Sequence, residues 1–420
     1  MKKLLMRWTG WKAAVKTVYF LLILALVLGW VNAVLALKSF DGLHPMQQLY
    51  EQKENSVDLL VLGSSHAFVN IDSGTLWEEY GISAYDLAGG AQPFWNTYYF
   101  LKEALKTQSP KLIVMDAFTA VLTVEYNDNG RAVSNTFGMK WSWDKVEAIK
   151  LSAPPDKQSS FLLGYCQYHT RFRELTREDF LEDKGDSAKY ANWKGSYVST
   201  GVSPFQWPAY VQTEDRSPMT AKTEEWYRKT IELAQSSGVP LLIVVTPYPA
   251  VTAEHQAIYN TAADIAGEYG VPFVNFNQNF GALELDPATD YFDGHHMNVW
   301  GSQKFTKQLG NLLTERYDLP DHRGGLGVSV LGGQRTLHRS LRQRWQAGPR
   351  CHAGGSGISS SEPRLYLCSG SQRQRCGHFR PSAGGFGHPY GRGRSVSGIR
   401  RRGFLVPWAG EYRVLPAGLA

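Results

Sequence analysis

Five short apolar runs constrain the fold of this chain more than any other feature. They are residues 57–62 (VDLLVL), 84–87, 111–116 (KLIVMD), 241–246 (LLIVVT) and 272–276. None alternates apolar with polar residues, so each reads as a strand buried on both faces, as in a parallel sheet. Helical patterns lie between and after them, at 94–107, 220–237, 252–269 and 300–317. Gly238-Val239-Pro240 and Gly270-Val271-Pro272 punctuate two successive helix-to-strand passages in the same way. A glycine able to adopt positive φ ends each helix, and a proline prevents its continuation. This alternation predicts an α/β fold, a three-layer α/β/α sandwich around a central parallel sheet. Right-handed crossovers would place the loops that follow the strands along one sheet edge.

Between about residues 125 and 222 the rhythm stops. This stretch holds Trp141, Trp143, Tyr165, Tyr168, Tyr190, Trp193, Tyr197 and Trp207. It reads as an insertion or cap beside the sheet, whose aromatics belong to its core or stack on sugar rings.

The N-terminus bears on compartment. Lys2, Lys3, Arg7, Lys12 and Lys16 precede Val18–Leu37, in which only Gly29 and Asn32 are not strongly apolar. Twenty helical residues span roughly 30 Å, the hydrocarbon thickness of a bilayer. The expected organisation is a cytoplasmic basic segment (1–17) and a transmembrane anchor (18–37). An α/β domain (41–320, insertion about 125–222) then lies outside the cell membrane, as basic residues favour the cytoplasmic side. A signal peptide cleaved near Val34-Leu35-Ala36 is the competing reading.

The formal charge of the whole chain, +6, conceals two unlike parts. Residues 321–420 hold 16 Arg, no Lys and three acids, a net +13, which leaves −7 on residues 1–320. A nucleic-acid-binding role for the whole chain is therefore excluded. About half of the 41 Gly, together with Cys351, Cys368 and Cys376, also fall in the tail. It shows neither helical nor strand periodicity and reads as disordered or derived from a shifted reading frame, although an Arg-rich tail could also bind polyanions. Only Cys166 precedes it, so the main body has no disulfide framework and no cysteine-rich zinc module.

Two segments carry candidate chemistry. Gly63-Ser64-Ser65-His66 follows the first strand, where a sharp turn can present a hydroxyl at a helix N-terminus. A helix N-cap serine is the plainer reading of that turn. Some 230 residues later, Asp293-Gly294-His295-His296-Met297-Asn298 precedes the last helical pattern. An Asp three residues before a His can fold back onto the imidazole, whose other nitrogen is then available to a serine. An Asp N-cap with a surface His, or a metal pair at His295 and His296, are the alternatives, but adjacent histidines diverge on regular backbone.

Together, "VLGSSHA" and "DGHHMNVWGSQKF" resemble the SGNH/GDSL hydrolase superfamily over about residues 55–318. The resemblance implies a nucleophile at Ser65, with Ser64 as a rival because it stands where the family usually has Asp. It also implies a triad completed by His296 and Asp293, with no cofactor and no metal. The family's second block matches Gly89-Gly90, so the amides of Ser65 and Gly90 would form the oxyanion hole. The third block, Gly-x-Asn-Asp, has no counterpart after "KLIVMD", leaving Gln92 or Asn96 as substitutes for its Asn. With an N-terminal anchor, the chain is most similar to the extracytoplasmic acyl-transfer branch, typified by teichoic acid D-alanylation and alginate O-acetylation proteins. The resemblance thus implies an esterase or O-acyltransferase with an acylated donor, a cell-surface polysaccharide acceptor and a membrane-bound O-acyltransferase partner. A noncatalytic accessory that binds such a transferase or a glycan is the alternative function.

Overall fold

The structure is a computed structural model that describes residues 2–36, 41–162, 164–180, 194–206 and 212–324. Leu37, Tyr190, Trp193, Trp207 and almost the whole Arg-rich tail, with its three cysteines, lie outside the described residues. Five strands form one parallel sheet: β1 (Leu59–Gly63), β2 (Ala84–Ala88), β3 (Leu112–Asp116), β4 (Leu241–Val245) and β5 (Phe273–Asn275). Their order is β2-β1-β3-β4-β5. The fold class is therefore the α/β sandwich expected, with every strand within a residue or two of its apolar run.

Burial explains the unbroken apolar runs. Leu59, Leu60, Val61 and Leu62 of β1, like Leu112, Ile113, Val114 and Met115 of β3, are all fully buried. Each such side chain contributes about 1.5–3 kcal/mol relative to exposure, and alternating residues would forfeit half of that gain. On one face lie α3 (Ser65–Asn70) and α8 (Val299–Arg316), which touch each other. The opposite face carries α4 (Phe94–Ala104), α6 (Ala221–Ser236) and α7 (Ala253–Glu268). There Tyr227 of α6 donates to the Ala262 carbonyl of α7 (3.0 Å), and Phe94 of α4 meets the Tyr227 ring at 4.9 Å. The chain leaves β1 toward β2 over the first face and returns to β3 over the second, as right-handed crossovers require. The strand order therefore reverses at β1, the switch point where doubly wound sheets place their sites.

Register brings four loops to one edge. Gly63 pairs with Ala88, Leu62 with Met115, and Asp116 with Val244. Residues Ser64, Gly89, Ala117 and Thr246 thus leave the sheet side by side.

The described part of the insertion carries more regular structure than its weak periodicity suggests. Helix α5 (Trp143–Ser152) packs on α4, and its N-cap Ser142 accepts from the Lys145 amide at 3.2 Å. Lys194–Tyr197 runs beside β2, where the Asp86 amide donates to the Lys194 carbonyl (2.8 Å) and Ser196 bonds the buried Asp86 carboxyl. The segment therefore covers part of the otherwise open β2 edge. Burial pushes the Asp86 carboxyl well above its ordinary value, against the lowering effect of the Ser196 and Ser73 hydroxyls.

Helix α1 (Lys2–Leu35), which α2 (Leu43–Leu49) follows, runs from the basic segment into the apolar one. Its stretch Trp11–Leu35 is long and apolar enough to cross a membrane, about 38 Å at 1.5 Å per residue. At the other end, residues just past Pro320 touch the α/β domain. The His322 amide donates to the Gly81 carbonyl (3.0 Å), and its Nε2 lies 2.7 Å from Asp58 Oδ2.

Candidate active site

Gly63 makes the turn into the site possible. Its φ is +143°, and a Cβ there would lie 3.0 Å from that of Asp116 and 3.1 Å from that of Ala67. Only glycine fits this bend without strain. The next residue, Ser64, is the N-cap of α3, and its Oγ accepts from the His66 amide at 3.3 Å. Ser65 then opens the helix. As a first-turn residue, its amide has no intrahelical acceptor, and the partial positive end of the helix surrounds its hydroxyl.

The second element is a tight loop between Tyr291 and Met297, which form an antiparallel bridge. Inside it, Asp293 Oδ1 accepts the amides of both His295 and His296, each at 2.8 Å. That turn folds the carboxylate back onto the His296 ring, where Nδ1 lies 2.9 Å from Oδ2 and 3.0 Å from Oδ1. The other ring nitrogen, Nε2, is 2.8 Å from Ser65 Oγ across 231 residues of sequence. Ser65 and His296 are only 4% and 6% exposed. Ser65 faces the imidazole, whereas Ser64 is engaged as a cap.

Electrostatics suit this alignment. Burial raises the Asp293 carboxyl, but the His296 hydrogen bond and charge and the two loop amides prevail and hold it below the usual carboxylate range. The carboxylate is thus ionised at neutral pH, and with Nδ1–H donating to it, Nε2 is left as the acceptor toward Ser65.

A hydrogen-bonded chain at the sheet edge fixes the loop. Asn70, the last residue of α3, donates to Thr246 Oγ1 (3.0 Å) and accepts from the Met297 amide (2.8 Å). Thr246 in turn donates its amide to Asp116 Oδ2 (3.0 Å), and Asp116 Oδ1 accepts from the Phe118 amide (3.0 Å). All three polar side chains are fully buried. Burial pushes the Asp116 carboxyl up to about 6, with the two amides opposing. Through these bonds the ends of β3, β4 and α3 hold the backbone next to His296. Sequence reasoning did not find Asn70, Thr246 or Asp116, because buried Asn and Thr carry no local signature.

His66, quoted in the motif without a role, is fully buried against the Phe118 ring at 3.6 Å and lies 5.2 Å from His296. Burial first, then His296, His295 and His255, hold it well below its ordinary value. His295 stacks on Tyr248 at 5.4 Å, and burial, reinforced by His296, lowers it to about 4 against the pull of Asp293. These neutral rings wall the site without adding cationic charge. No group of three His, Cys, Asp or Glu side chains among the described residues is arranged to hold a metal ion.

On the oxyanion side, Gly89-Gly90 follow β2 directly beside the Ser64–Ser65 turn, and the Gly90 carbonyl accepts from Asn135 Nδ2 at 3.2 Å. The two side chains that could substitute for the missing Asn differ in their engagement. Asn96 Nδ2 bonds Ser152 Oγ (2.9 Å) and the Asn135 carbonyl (3.2 Å), while Gln92 Nε2 bonds Thr97 Oγ1 (3.1 Å). Asn96 thus ties α4 to the insertion, whereas the Gln92 bond stays at the first turn of α4 and uses one of its two N–H groups.

No family model matches the chain, and no curated protein sequence does either. Among solved structures, a Bacteroides fragilis protein described as an acylhydrolase is 12% identical with a TM-score of 0.31, over 64% of this chain and 93% of that one. A Lactobacillus plantarum protein is 11% identical with a TM-score of 0.32, over 63% and 99%. A gut microbial diltiazem-metabolizing enzyme is 15% identical with a TM-score of 0.23, over 63% of this chain and 47% of its own. Likeness at this level assigns neither a family nor an activity.

Proposed function

We propose that the chain is a serine-dependent acyl-ester enzyme of SGNH type, an esterase or O-acyltransferase, acting outside the cell membrane. The single observation that carries this reading is the aligned array Ser65 Oγ, His296 Nε2 and Nδ1, and the Asp293 carboxylate, with contacts of 2.8 and 2.9 Å. Such an array does general-base chemistry on a hydroxyl.

The Ser65 oxygen attacks the ester carbonyl as its proton passes to His296 Nε2. Asp293 holds the imidazole in the required tautomer and offsets the charge it acquires. The oxyanion is received by the Ser65 amide at the helix N-terminus and by the Gly90 amide. When the C–O bond of the leaving alcohol breaks, His296 returns the proton to it, leaving an acyl group on Ser65. A second hydroxyl, from water or a sugar, then gives its proton to His296 and takes the acyl group, regenerating Ser65. The near-complete burial of Ser65 and His296 favours a bound acceptor over bulk water. An acylated donor, a cell-surface polysaccharide acceptor and a membrane-bound O-acyltransferase partner complete the proposed setting. Domain boundaries at 41 and about 320, with the segment before Val18 cytoplasmic, belong to the same proposal.

The test uses the full chain in detergent with p-nitrophenyl acetate. Wild type should release p-nitrophenolate and Ser65→Ala should not. Equal rates for the two would remove the enzyme reading and leave the noncatalytic accessory role.

A further inference from the structure

The end of α1 does not hang free of the domain. Val34 and Leu35 are buried. Arg171 Nη1 donates to the carbonyls of Leu35 (2.7 Å) and Ala36 (2.6 Å), which would otherwise be unsatisfied acceptors at the helix C-terminus. Arg171 is itself held by Asp179 at 3.0 Å, and Tyr168 donates to Asn32 Oδ1 at 3.0 Å. The part of the insertion around residues 165–180 therefore clasps the last turns of the apolar helix.

That clasp leaves large apolar side chains outward beside the helix. Phe180 and Phe172 are 55% and 59% exposed, and Trp141 is 68% exposed. The Phe180 ring lies 6.3 Å from that of Trp30. Trp30 is five residues before Leu35, about 7.5 Å down the helix axis. If Leu35 marks the membrane boundary, Phe180 sits below it, at the depth where aromatic rings partition between headgroups and acyl chains. Trp141 shares a 350 Å³ cavity with Asn32 and Ala36, which places it beside the same helix end. Exposed rings gathered at the end of an apolar helix, rather than scattered singly, mark an interaction surface.

We propose that this surface, built from residues 165–180 with Trp141 beside it, docks on lipid and seats the α/β domain against the bilayer where α1 emerges. The proposal rests on α1 spanning the membrane and is independent of the acyl-ester chemistry. Charge indicates which lipid property is read. Arg171, Arg173 and Arg177 are matched by Glu174, Glu178 and Asp179, so the segment has no net charge. Docking is thus driven by aromatic partitioning rather than by attraction to anionic headgroups. A seated domain also holds its site at a fixed height above the membrane, within reach of an acceptor or donor delivered there.

The test reconstitutes the full chain into phosphatidylcholine vesicles, with native cysteines replaced by serine and one reporter cysteine each at Phe172, Phe180 or, as control, Lys229 of α6, whose side chain is 42% exposed. Each cysteine carries an environment-sensitive fluorophore, and quenching is read with nitroxide placed at shallow depth on the lipid and with aqueous iodide. Labels at 172 and 180 should be quenched several-fold more by the lipid nitroxide than the label at 229, and adding anionic lipid should leave this unchanged. Labels at 172 and 180 as open to iodide as that at 229 would overturn the proposal. So would shielding that arises only in native membranes, because a protein partner would then cover the surface.

Discussion

Replacing Asn70 by Ala should separate the positioning of His296 from its chemistry. Asn70 is fully buried, and its two hydrogen bonds tie Thr246 at the end of β4 to the Met297 amide, one residue beyond His296. Alanine leaves the Met297 N–H buried without an acceptor, which costs about 1–3 kcal/mol, and the lost bond to Thr246 adds about 1 kcal/mol. A total near 3 kcal/mol corresponds to a fall in Tm of about 6–12 °C for a domain of this size. Because the loop that carries the imidazole loses its anchor, kcat should also fall, by about 10- to 100-fold for a displacement near 1 Å. Thermal unfolding followed by circular dichroism and p-nitrophenyl acetate turnover on the same preparation measure the two effects. Asn311→Ala, at an exposed position, is the control and should change Tm little. An Asn70→Ala protein with a Tm within about 2 °C of wild type would refute the reasoning, because a buried orphan amide cannot be that cheap.

Ser65→Ala should abolish acyl-ester turnover, by about 10³-fold or more, whereas Ser64→Ala should keep it and lose about 1 kcal/mol of cap stability, as steady-state kinetics and urea titrations of both variants will show. Burial lowers His295 to about 4, so its neutral form stabilises the fold. This contribution is complete above the unfolded value near 6.5 and is lost as pH falls toward 4. Denaturant midpoints at pH 4.5 and 7 should therefore differ less in His295→Gln than in wild type, and equal slopes would contradict that burial effect. Gly63→Ala should fold poorly or lose about 2 kcal/mol or more, since a Cβ at φ +143° would press on Asp116 and Ala67; soluble yield and Tm are the readouts. A chain ending at Gly324 should unfold at higher temperature than one ending at Pro320, because His322 bonds Gly81 and Asp58.

Local chemistry made much of this protein legible in its sequence. A strand buried on both faces needs an unbroken apolar run, so β1, β3 and β4 were visible as Leu59–Leu62, Leu112–Met115 and Leu241–Val245. Gly238 and Gly270 adopt positive φ, and each precedes a Val-Pro passage into a strand, which made the ends of α6 and α7 readable. Asp293 and His296 are three residues apart, close enough for a turn to join them without outside help. The insertion was less legible, because α5 buries little more than Ala148, Ile149 and Ser152 along ten residues. A stripe so narrow leaves hardly any period to detect.

Tertiary structure alone decided what crosses long stretches of chain. Ser65 and Ser64 are equivalent in composition, and only the turn at Gly63 aims one at His296 while the other caps the helix. The anchor of the His296 loop runs through Asn70, Thr246 and Asp116, residues up to 227 positions from Met297. Asn96 looked available by sequence distance, but packing of α4 against the insertion uses both N–H groups of its amide. Such contacts depend on which polar atoms burial leaves without water, and that is settled only when the sheet and its helices close around them.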